Sequence, residues 1–241
     1  MASTRLPNKP MSDLAGKPMI ERVWHACSQS QADEVWVASD SQQVLDWMSG
    51  CGAKVMLTAT HHATGTDRLA EVVTKLALNE DQVVVNVQGD EPCMPLALIE
   101  QVATLLAAHP QASLATLYEP LTEPEQWHNP NVVKLVTDDQ QSVLYFSRAA
   151  IPHHRDRPEQ AWQQAKRHLG IYAYRVSALK QFSQLPASSL EQMESLEQLR
   201  FLQSGLKVVA TKACQALPAG VDTPEDLARM QQFFATLDQG S

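Results

Sequence analysis

The chain has 241 residues, of which 44% are hydrophobic, and its formal net charge at pH 7 is −8. Its 27 Asp and Glu residues outnumber 19 Lys and Arg residues that form no basic run, which argues against a nucleic-acid-binding protein. No apolar run reaches the roughly 18 residues of a membrane span, and no signal peptide opens the chain, so we expect a cytoplasmic protein without membrane insertion. The cysteines lack CxxC spacing, so we expect neither a disulfide framework nor a zinc site.

Short β-branched runs alternate with amphipathic stretches along the chain, a pattern typical of βαβ units. The predicted helices, in chain order, cover residues 18–28, 42–48, 66–76, 96–108, 190–203 and 224–237. The predicted strands cover residues 34–38, 54–57, 83–87, 113–118, 132–137, 144–147, 171–175 and 207–211. The polar residues 152–167 are expected to form a loop.

The segment 83–92, VVVNVQGDEP, carries the most specific chemical signal. Its β-branched run predicts a central parallel strand that is covered on both faces. Asp90 and Glu91 follow at the carboxyl end of that strand, where open α/β sheets bind their ligands. A carboxylate there suits a hard divalent cation, and the alternative is a surface turn whose acidic side chains are solvated.

The N-terminal segment 3–10, STRLPNKP, is the candidate for phosphate binding. Arg5 and Lys9 lie four residues apart in a loop interrupted by proline. Two such cations can clamp polyphosphate oxygens while the amides of a following helix assist. The alternative is that both are solvated charges near a frayed chain end.

Taken together, the motifs of this chain resemble those of the CMP-Kdo synthetases, the 3-deoxy-manno-octulosonate cytidylyltransferases. The resemblance runs nearly end to end and preserves the order of eight motifs. These are ASTRLPNKP at 2–10, TGTDR at 64–68, VNVQGDEP at 85–92, NPNVVK at 129–134, LYFSRAAIP at 144–152, RHLGIYAYR at 167–175, SLEQLR at 195–200 and GVDTPEDL at 220–227.

The resemblance implies an α/β fold with a doubly wound, mostly parallel sheet, similar to nucleotide-diphospho-sugar transferases and Rossmann-like. It implies one catalytic domain over 1–241, with a nucleotide-binding part at about 1–109, an inserted sugar-binding and dimerisation lobe at 110–190, and a C-terminal part at 191–241. The implied reaction transfers a cytidylyl group from CTP to Kdo for lipopolysaccharide core biosynthesis, and the implied assembly is a homodimer.

By the same resemblance, Asp90 and Asp222 would bind Mg²⁺ and act in catalysis together with Lys9. The residues implied in nucleotide binding are Ser3, Arg5, Lys9, Arg68 and Gln88. Cytidylyl transfer depends mainly on positioning and on neutralising charge, so cations and fixed donors are the groups it requires. Arg68 could instead pair with Asp67 or Glu71, and Gln88 could cap a strand end.

The resemblance also implies a pocket for the sugar acid. Its residues would be Arg148, His168, Tyr172, Glu197 and Gln198. Each has a structural alternative: His168 could be a surface residue, Tyr172 could pack in the core, and Glu197 could pair with Arg200 along a helix.

Two departures from the family pattern affect these expectations. Asn8 stands where the family usually has glycine. If that position needs a positive φ, asparagine is the least costly replacement for glycine. Family members also carry a first strand before the position of Met1, so a central strand is expected to be missing from this chain. The alternatives to Kdo transfer are the same chemistry on 8-amino-Kdo, and a non-catalytic remnant that keeps the fold.

Overall fold

The computed structural model describes Leu6 and residues 8–239. The strands in this part of the chain are β1 (Asp13–Leu14), β2 (Lys17–Pro18), β3 (Trp36–Ser39), β4 (Lys54–Leu57), β5 (Val83–Asn86), β6 (Leu114–Pro120), β7 (Lys134–Thr137), β8 (Val143–Ser147), β9 (Lys166–Arg175) and β10 (Val208–Lys212). The α-helices are α1 (Met19–Cys27), α2 (Gln42–Gly50), α3 (Gly65–Lys75), α4 (Leu96–Ala107), α5 (Pro124–His128), α6 (Val176–Phe182), α7 (Ser189–Glu194), α8 (Leu199–Gln203) and α9 (Pro224–Gln239). Short 3-10 helices cover Lys9–Met11 and Pro158–Gln164.

The chain forms two compact units. The first comprises Met1–Val72, Val87–Glu100 and Leu217–Ser241, and the second comprises Val73–Asn86 and Gln101–Ala216. None of the helices in the described part of the chain is long and apolar enough to cross a membrane.

The first unit contains two small sheets and the helices that cover them. Strands β1 and β2 form an antiparallel pair, whereas β3 and β4 run parallel from Trp36↔Lys54 to Ser39↔Leu57. Helix α2 places Val44 and Met48 one turn apart, and both pack with Val37 of β3 because this spacing lines one helix face. Because β3 and β4 are parallel, their carboxyl ends lie at the same edge of the sheet. Asp40 and Thr58 are the residues that directly follow these two ends.

A second core in this unit joins segments that are far apart in sequence. Leu14, Met19, Val221, Met230 and Phe234 pack together as buried residues. Helix α9 is thereby fixed to the N-terminal segment, and the loop that precedes α9 is fixed with it.

The second unit is built on a six-stranded sheet. Its order is β10-β6-β9-β7-β8, and β5 pairs with β9 beside this path. Strands β10 and β6 are parallel, whereas the long strand β9 runs antiparallel to β5, β6 and β7. The register between β6 and β9 shifts between Thr116 and Leu117, so that β9 is locally bulged.

The prediction for residues 83–87 was wrong in strand direction and in burial. Strand β5 is half-buried along its length and pairs antiparallel with β9, its one partner among the described residues. A β-branched composition indicates that a strand is apolar, but it carries no information on the direction of its neighbour.

The prediction of a loop over residues 152–167 was also wrong. This segment contains the 3-10 helix Pro158–Gln164, and β9 begins at Lys166. Ala161 and Ala165 are buried against Leu121 and Trp127. Two small apolar residues in a polar segment therefore anchor it, which its composition concealed.

The single helix predicted over residues 190–203 is two helices, α7 and α8. Ser195 ends α7 in the left-handed region with φ 52°. In a continuous helix the carbonyls of Glu194 and Ser195 would accept from residues four positions later. Here Arg148 donates to both carbonyls, at 2.7 Å from Nε to Glu194 O and 3.4 Å from Nη2 to Ser195 O. The left-handed conformation of Ser195 breaks the helix, and Arg148 satisfies two carbonyl groups that the break leaves without helical partners.

Candidate active site

Lys9, Asp90 and Asp222 lie together in the first unit. Lys9 Nζ donates to Asp90 Oδ2 at 2.7 Å and to Asp222 Oδ1 at 3.0 Å. The Lys9 side chain is 10% exposed, that of Asp90 30% and that of Asp222 68%. One buried ammonium group thus holds two carboxylates whose outer sides reach solvent.

Backbone features on both sides of the cluster set its geometry. Asn8 adopts φ 55° and ψ 33° immediately before the 3-10 helix that carries Lys9, so this position does have a positive φ, which asparagine tolerates better than most residues. The loop before α9 reaches Asp90 through a hydrogen bond of 3.0 Å from Val221 N to Asp90 O. A Cβ atom on Gly220 would lie 3.1 Å from that carbonyl oxygen and 3.0 Å from Glu91 Oε1, so glycine permits this close approach.

Opposing effects act on the ammonium group of Lys9. Burial alone would lower its pKa, but the hydrogen bonds and charges of Asp90 and Asp222 outweigh burial and raise the pKa above its ordinary value. Lys9 is therefore charged at neutral pH and acts as the internal counter-ion of the two carboxylates.

The donor set of this cluster fits a magnesium ion. Asp90 Oδ2 and Asp222 Oδ1 both lie within 3.0 Å of the Lys9 ammonium nitrogen, so hard oxygen donors converge on one cation position. Within the described residues no group of three or more His, Cys, Asp or Glu side chains gathers to hold a metal. An ion held by two carboxylates would complete its shell with water or phosphate oxygens, as Mg²⁺ commonly does.

The TGTDR motif divides into a structural part and a candidate binding part. Thr64 and Asp67 cap the start of α3, with Asp67 N donating to Thr64 Oγ1 at 3.1 Å and Thr64 Oγ1 donating to Asp67 Oδ2 at 2.9 Å. Arg68 instead donates to Asp40 Oδ2 at 3.1 Å and to the Thr58 hydroxyl. The guanidinium group therefore lies where β3 and β4 end.

The other nucleotide-binding candidates are less well defined. Gln88 is exposed, and its carbonyl accepts from Glu91 N at 3.2 Å in the turn that leads to Asp90. Ser3 and Arg5 lie outside the described residues. Their roles, and that of Gln88, stay predictions.

His168 and Tyr172 lie side by side on β9 in the second unit, with ring centroids 5.2 Å apart. Burial and the charge of Arg167 lower the pKa of His168 to about 3, so its ring is neutral at pH 7. Burial, Tyr174 and Glu197 raise the pKa of Tyr172 well above its ordinary value. The two side chains are neutral polar groups, which suits hydroxyl recognition rather than charge pairing.

Arg148 is held in place by the backbone of the second unit. Besides its bonds to the α7 carbonyls, it donates from Nη1 to Pro130 O at 2.9 Å. A guanidinium group has five N–H donors. These three bonds leave one N–H on each terminal nitrogen, which is the pattern that a carboxylate accepts in bidentate fashion.

Glu197 and Gln198 occupy the break between α7 and α8. Gln198 is buried, and Glu197 is close enough to Tyr172 to influence its pKa. Arg200 forms a buried pair with Glu191, with 2.7 Å between Nε and Oε2. Gln198 is the N-terminal cap residue of α8, with φ −64° and ψ −18°, and Glu197 immediately precedes it.

Three further residues support these candidates and were not identified from the sequence. Lys134 is fully buried and donates to the carbonyls of Asn129, Val132 and Arg148 at 3.0, 2.6 and 2.7 Å. Glu194 accepts from the Arg148 amide at 2.9 Å. Thr116 contacts His168 from β6. The place of Lys134 at the end of the NPNVVK motif was the one signal that could have drawn attention to it.

The sequence comparisons identify relatives along nearly the whole chain. A cytidylyltransferase family model matches residues 1–208. The 3-deoxy-manno-octulosonate cytidylyltransferase of Alcanivorax borkumensis is 49% identical over 235 residues, which cover 95% of this chain and 93% of that protein. The protein of the same name from Francisella tularensis subsp. novicida is 47% identical over 237 residues, covering 97% and 95%.

The structural comparisons agree with this result. A CMP:2-keto-3-deoxy-manno-octonic acid synthetase solved in complex with CTP superimposes with a TM-score of 0.89 at 38% identity, over 98% of this chain and 95% of that one. The 4-diphosphocytidyl-2C-methyl-D-erythritol synthase of Anaerococcus prevotii superimposes with a TM-score of 0.60 at 13% identity, over 92% and 91%, which shows likeness of fold alone. The predicted α/β, nucleotidyltransferase-like fold class is confirmed.

Proposed function

Because this chain belongs to the cytidylyltransferase family, we propose that it transfers the cytidylyl group of CTP to 3-deoxy-manno-octulosonate, releasing pyrophosphate and forming CMP-Kdo. The observation that carries this proposal is the convergence of Lys9 with Asp90 and Asp222, in a chain whose relatives are named for this sugar. The use of 8-amino-Kdo is not favoured, since those names specify the parent sugar. A non-catalytic remnant is not favoured either, because it has no use for two converging carboxylates.

The first unit supplies the groups for the phosphate chemistry. Asp90 and Asp222 would hold Mg²⁺, which when bound supplies positive charge at the transferred phosphate. With the carboxylates engaged in this way, the three N–H groups of Lys9 become available to oxygens of the leaving pyrophosphate. Arg68, fixed beside Asp40, would add charge on the nucleotide side. These side chains act by position and charge, and no protein nucleophile is required.

The second unit supplies the groups for the sugar. His168 and Tyr172 would bind hydroxyl groups, because both are neutral and polar. The two remaining N–H donors of Arg148 would bind the sugar carboxylate. Glu197 and Gln198, held in the helix break, would accept from or donate to further hydroxyl groups.

We also propose that the protein works in the cytoplasm as a homodimer. The support for self-association lies in the second unit, where two large apolar side chains are strongly exposed. Leu144 on β8 is 60% exposed and Met193 in α7 is 82% exposed. Covering such side chains in a second copy would be favourable.

The test is pyrophosphate release from CTP, Kdo and Mg²⁺ by the wild type and two matched variants. Asp90→Asn removes one carboxylate charge from the cluster, and we expect turnover to fall by at least about 100-fold, the effect typical of losing one charge-stabilising group. Asp46→Asn makes the same change at an exposed site that contacts Gln42, and it should leave turnover intact. Equal activity of both variants would contradict the assignment of Asp90, and release without Kdo would contradict the proposed acceptor.

A further inference from the structure

The hydroxyl group of Thr116 lies among three polar atoms of β9. Thr116 Oγ1 is 3.0 Å from His168 Nε2, 3.1 Å from Leu169 O and 2.8 Å from Ile171 O. Thr116 is 0% exposed, so water does not share in these contacts. The bulge between β6 and β9 brings both carbonyl groups to one side chain, because the register shifts at this residue.

Counting hydrogens assigns a direction to each contact. A hydroxyl group has one hydrogen to donate, and a carbonyl oxygen can only accept. The hydrogen of Thr116 therefore goes to one of the two carbonyls, of which Ile171 O is the nearer. Toward His168 the hydroxyl oxygen can then only accept. The contact at 3.0 Å requires a hydrogen on His168 Nε2.

We infer that Thr116 is a positioning residue that holds His168 as the Nε2–H tautomer and thereby leaves Nδ1 as a hydrogen-bond acceptor for a hydroxyl group of the sugar substrate. The last step rests on the proposed function. A neutral imidazole carries one donor and one acceptor nitrogen, so fixing the hydrogen on Nε2 decides the character of Nδ1. This ring cannot serve the sugar carboxylate, because it offers that group neither charge nor hydrogen.

The surroundings of His168 support a ligand at Nδ1. Among the described residues Nδ1 has no hydrogen-bond partner, although the ring is half-buried. The edge contact with Phe146, at 5.1 Å between ring centroids, restricts the ring plane. The hydroxyl of Tyr172 likewise has no hydrogen-bond partner within the part of the chain that the structure describes. His168 Nδ1 and the Tyr172 hydroxyl are thus two neighbouring neutral polar groups, and such a pair can form hydrogen bonds with neighbouring hydroxyl groups of a sugar.

The experiment separates the tautomer from the substrate contact. The protein is labelled with ¹⁵N-histidine, and His168→Gln identifies the signals of residue 168. We expect the wild-type ring to show a protonated Nε2 and an unprotonated Nδ1, and Thr116→Val to lose this fixed pattern. Thr116→Ser keeps the hydroxyl and should restore it. A wild-type ring with its hydrogen on Nδ1 would overturn the inference.

Kinetics then test the consequence for the sugar. Thr116→Val should raise the KM for Kdo by about tenfold, the effect of one misdirected hydrogen bond, while the KM for CTP changes by less than about twofold. Thr116→Ser should return the KM for Kdo toward the wild-type value. An equal rise in both KM values would show a general loss of structure and refute the positioning role. If the wild type fails to use Kdo, the proposed function fails, and the NMR measurement still decides the tautomer.

Discussion

Replacing Lys9 by methionine tests the internal counter-ion most directly. The change keeps the apolar length of the side chain and removes the ammonium group from between Asp90 and Asp222. A hydrogen bond to a charged group contributes about 1.5 to 3 kcal/mol, which the partial exposure of Asp90 reduces to about 1 to 2 kcal/mol. The bond to the well-exposed Asp222 adds a few tenths of a kcal/mol at most. We expect a loss of about 2 kcal/mol in unfolding free energy, or about 4 to 8 °C in Tm for a chain of this length.

The assay is thermal unfolding in EDTA and again in excess Mg²⁺. Mg²⁺ should raise the Tm of Lys9→Met more than that of the wild type, because in the wild type the ion must displace an ammonium group already in place. Lys17→Met is the matched control: Lys17 makes an exposed contact of 3.6 Å with Glu21, and its loss should change stability by less than about 0.5 kcal/mol. Equal Mg²⁺ responses of Lys9→Met and the wild type would refute the counter-ion role.

Two further outcomes are expected. Burial in the folded protein lowers the pKa of His168 to about 3. As the pH falls below the ordinary histidine pKa, the unfolded state therefore binds a proton that the folded state does not, and this destabilises the fold. Between about pH 6.5 and pH 5 the wild type should therefore lose up to about 2 kcal/mol of stability relative to His168→Gln in urea unfolding, and parallel pH curves would contradict this. Leu144→Glu should convert a dimer to a monomer, as measured by light scattering. Leu57→Glu, the same change at an exposed residue of the first unit, should leave the dimer intact. A dimer that survives Leu144→Glu would place the interface elsewhere.

Local sequence patterns predicted the helices and strands whose side chains contribute to packing and to nothing else. Strand β4 agrees with its prediction because it is a short apolar run, and helix α4 agrees to within one residue because its apolar residues follow the helical period. The first half of β9 was missed, since it contains Lys166, Arg167 and His168. His168 is a candidate sugar-binding residue and Lys166 donates to Thr137 Oγ1, so the alternation that marks an ordinary strand is absent.

The candidate site could be predicted only in part. The contact between Lys9 and Asp222 spans 213 positions, and no spacing rule brings two such residues together. The family resemblance paired Asp90 with Asp222 and assigned Lys9 to catalysis, but it did not indicate that the ammonium group of Lys9 bridges the two carboxylates. Lys134 and Thr116 were missed because their importance depends on the carbonyl groups that surround them. A lysine that is fully buried among carbonyls has the same sequence pattern as one that faces water.

The break between α7 and α8 affects how any Arg148 variant must be interpreted. Arg148→Ala removes the donors that hold the carbonyls of Glu194 and Ser195 in the break. If Ser195 then leaves the left-handed region, these carbonyls can accept from the amides of residues 198 and 199, and the two short helices join. Each residue of an α-helix turns the next by about 100°, so joining would rotate Glu197 and Gln198 to new directions. If Arg148→Ala binds the sugar more weakly, the weaker affinity would then have two causes. The guanidinium contact is lost, and the side chains of Glu197 and Gln198 point in different directions. Circular dichroism would separate the two, since added helix accompanies only the second.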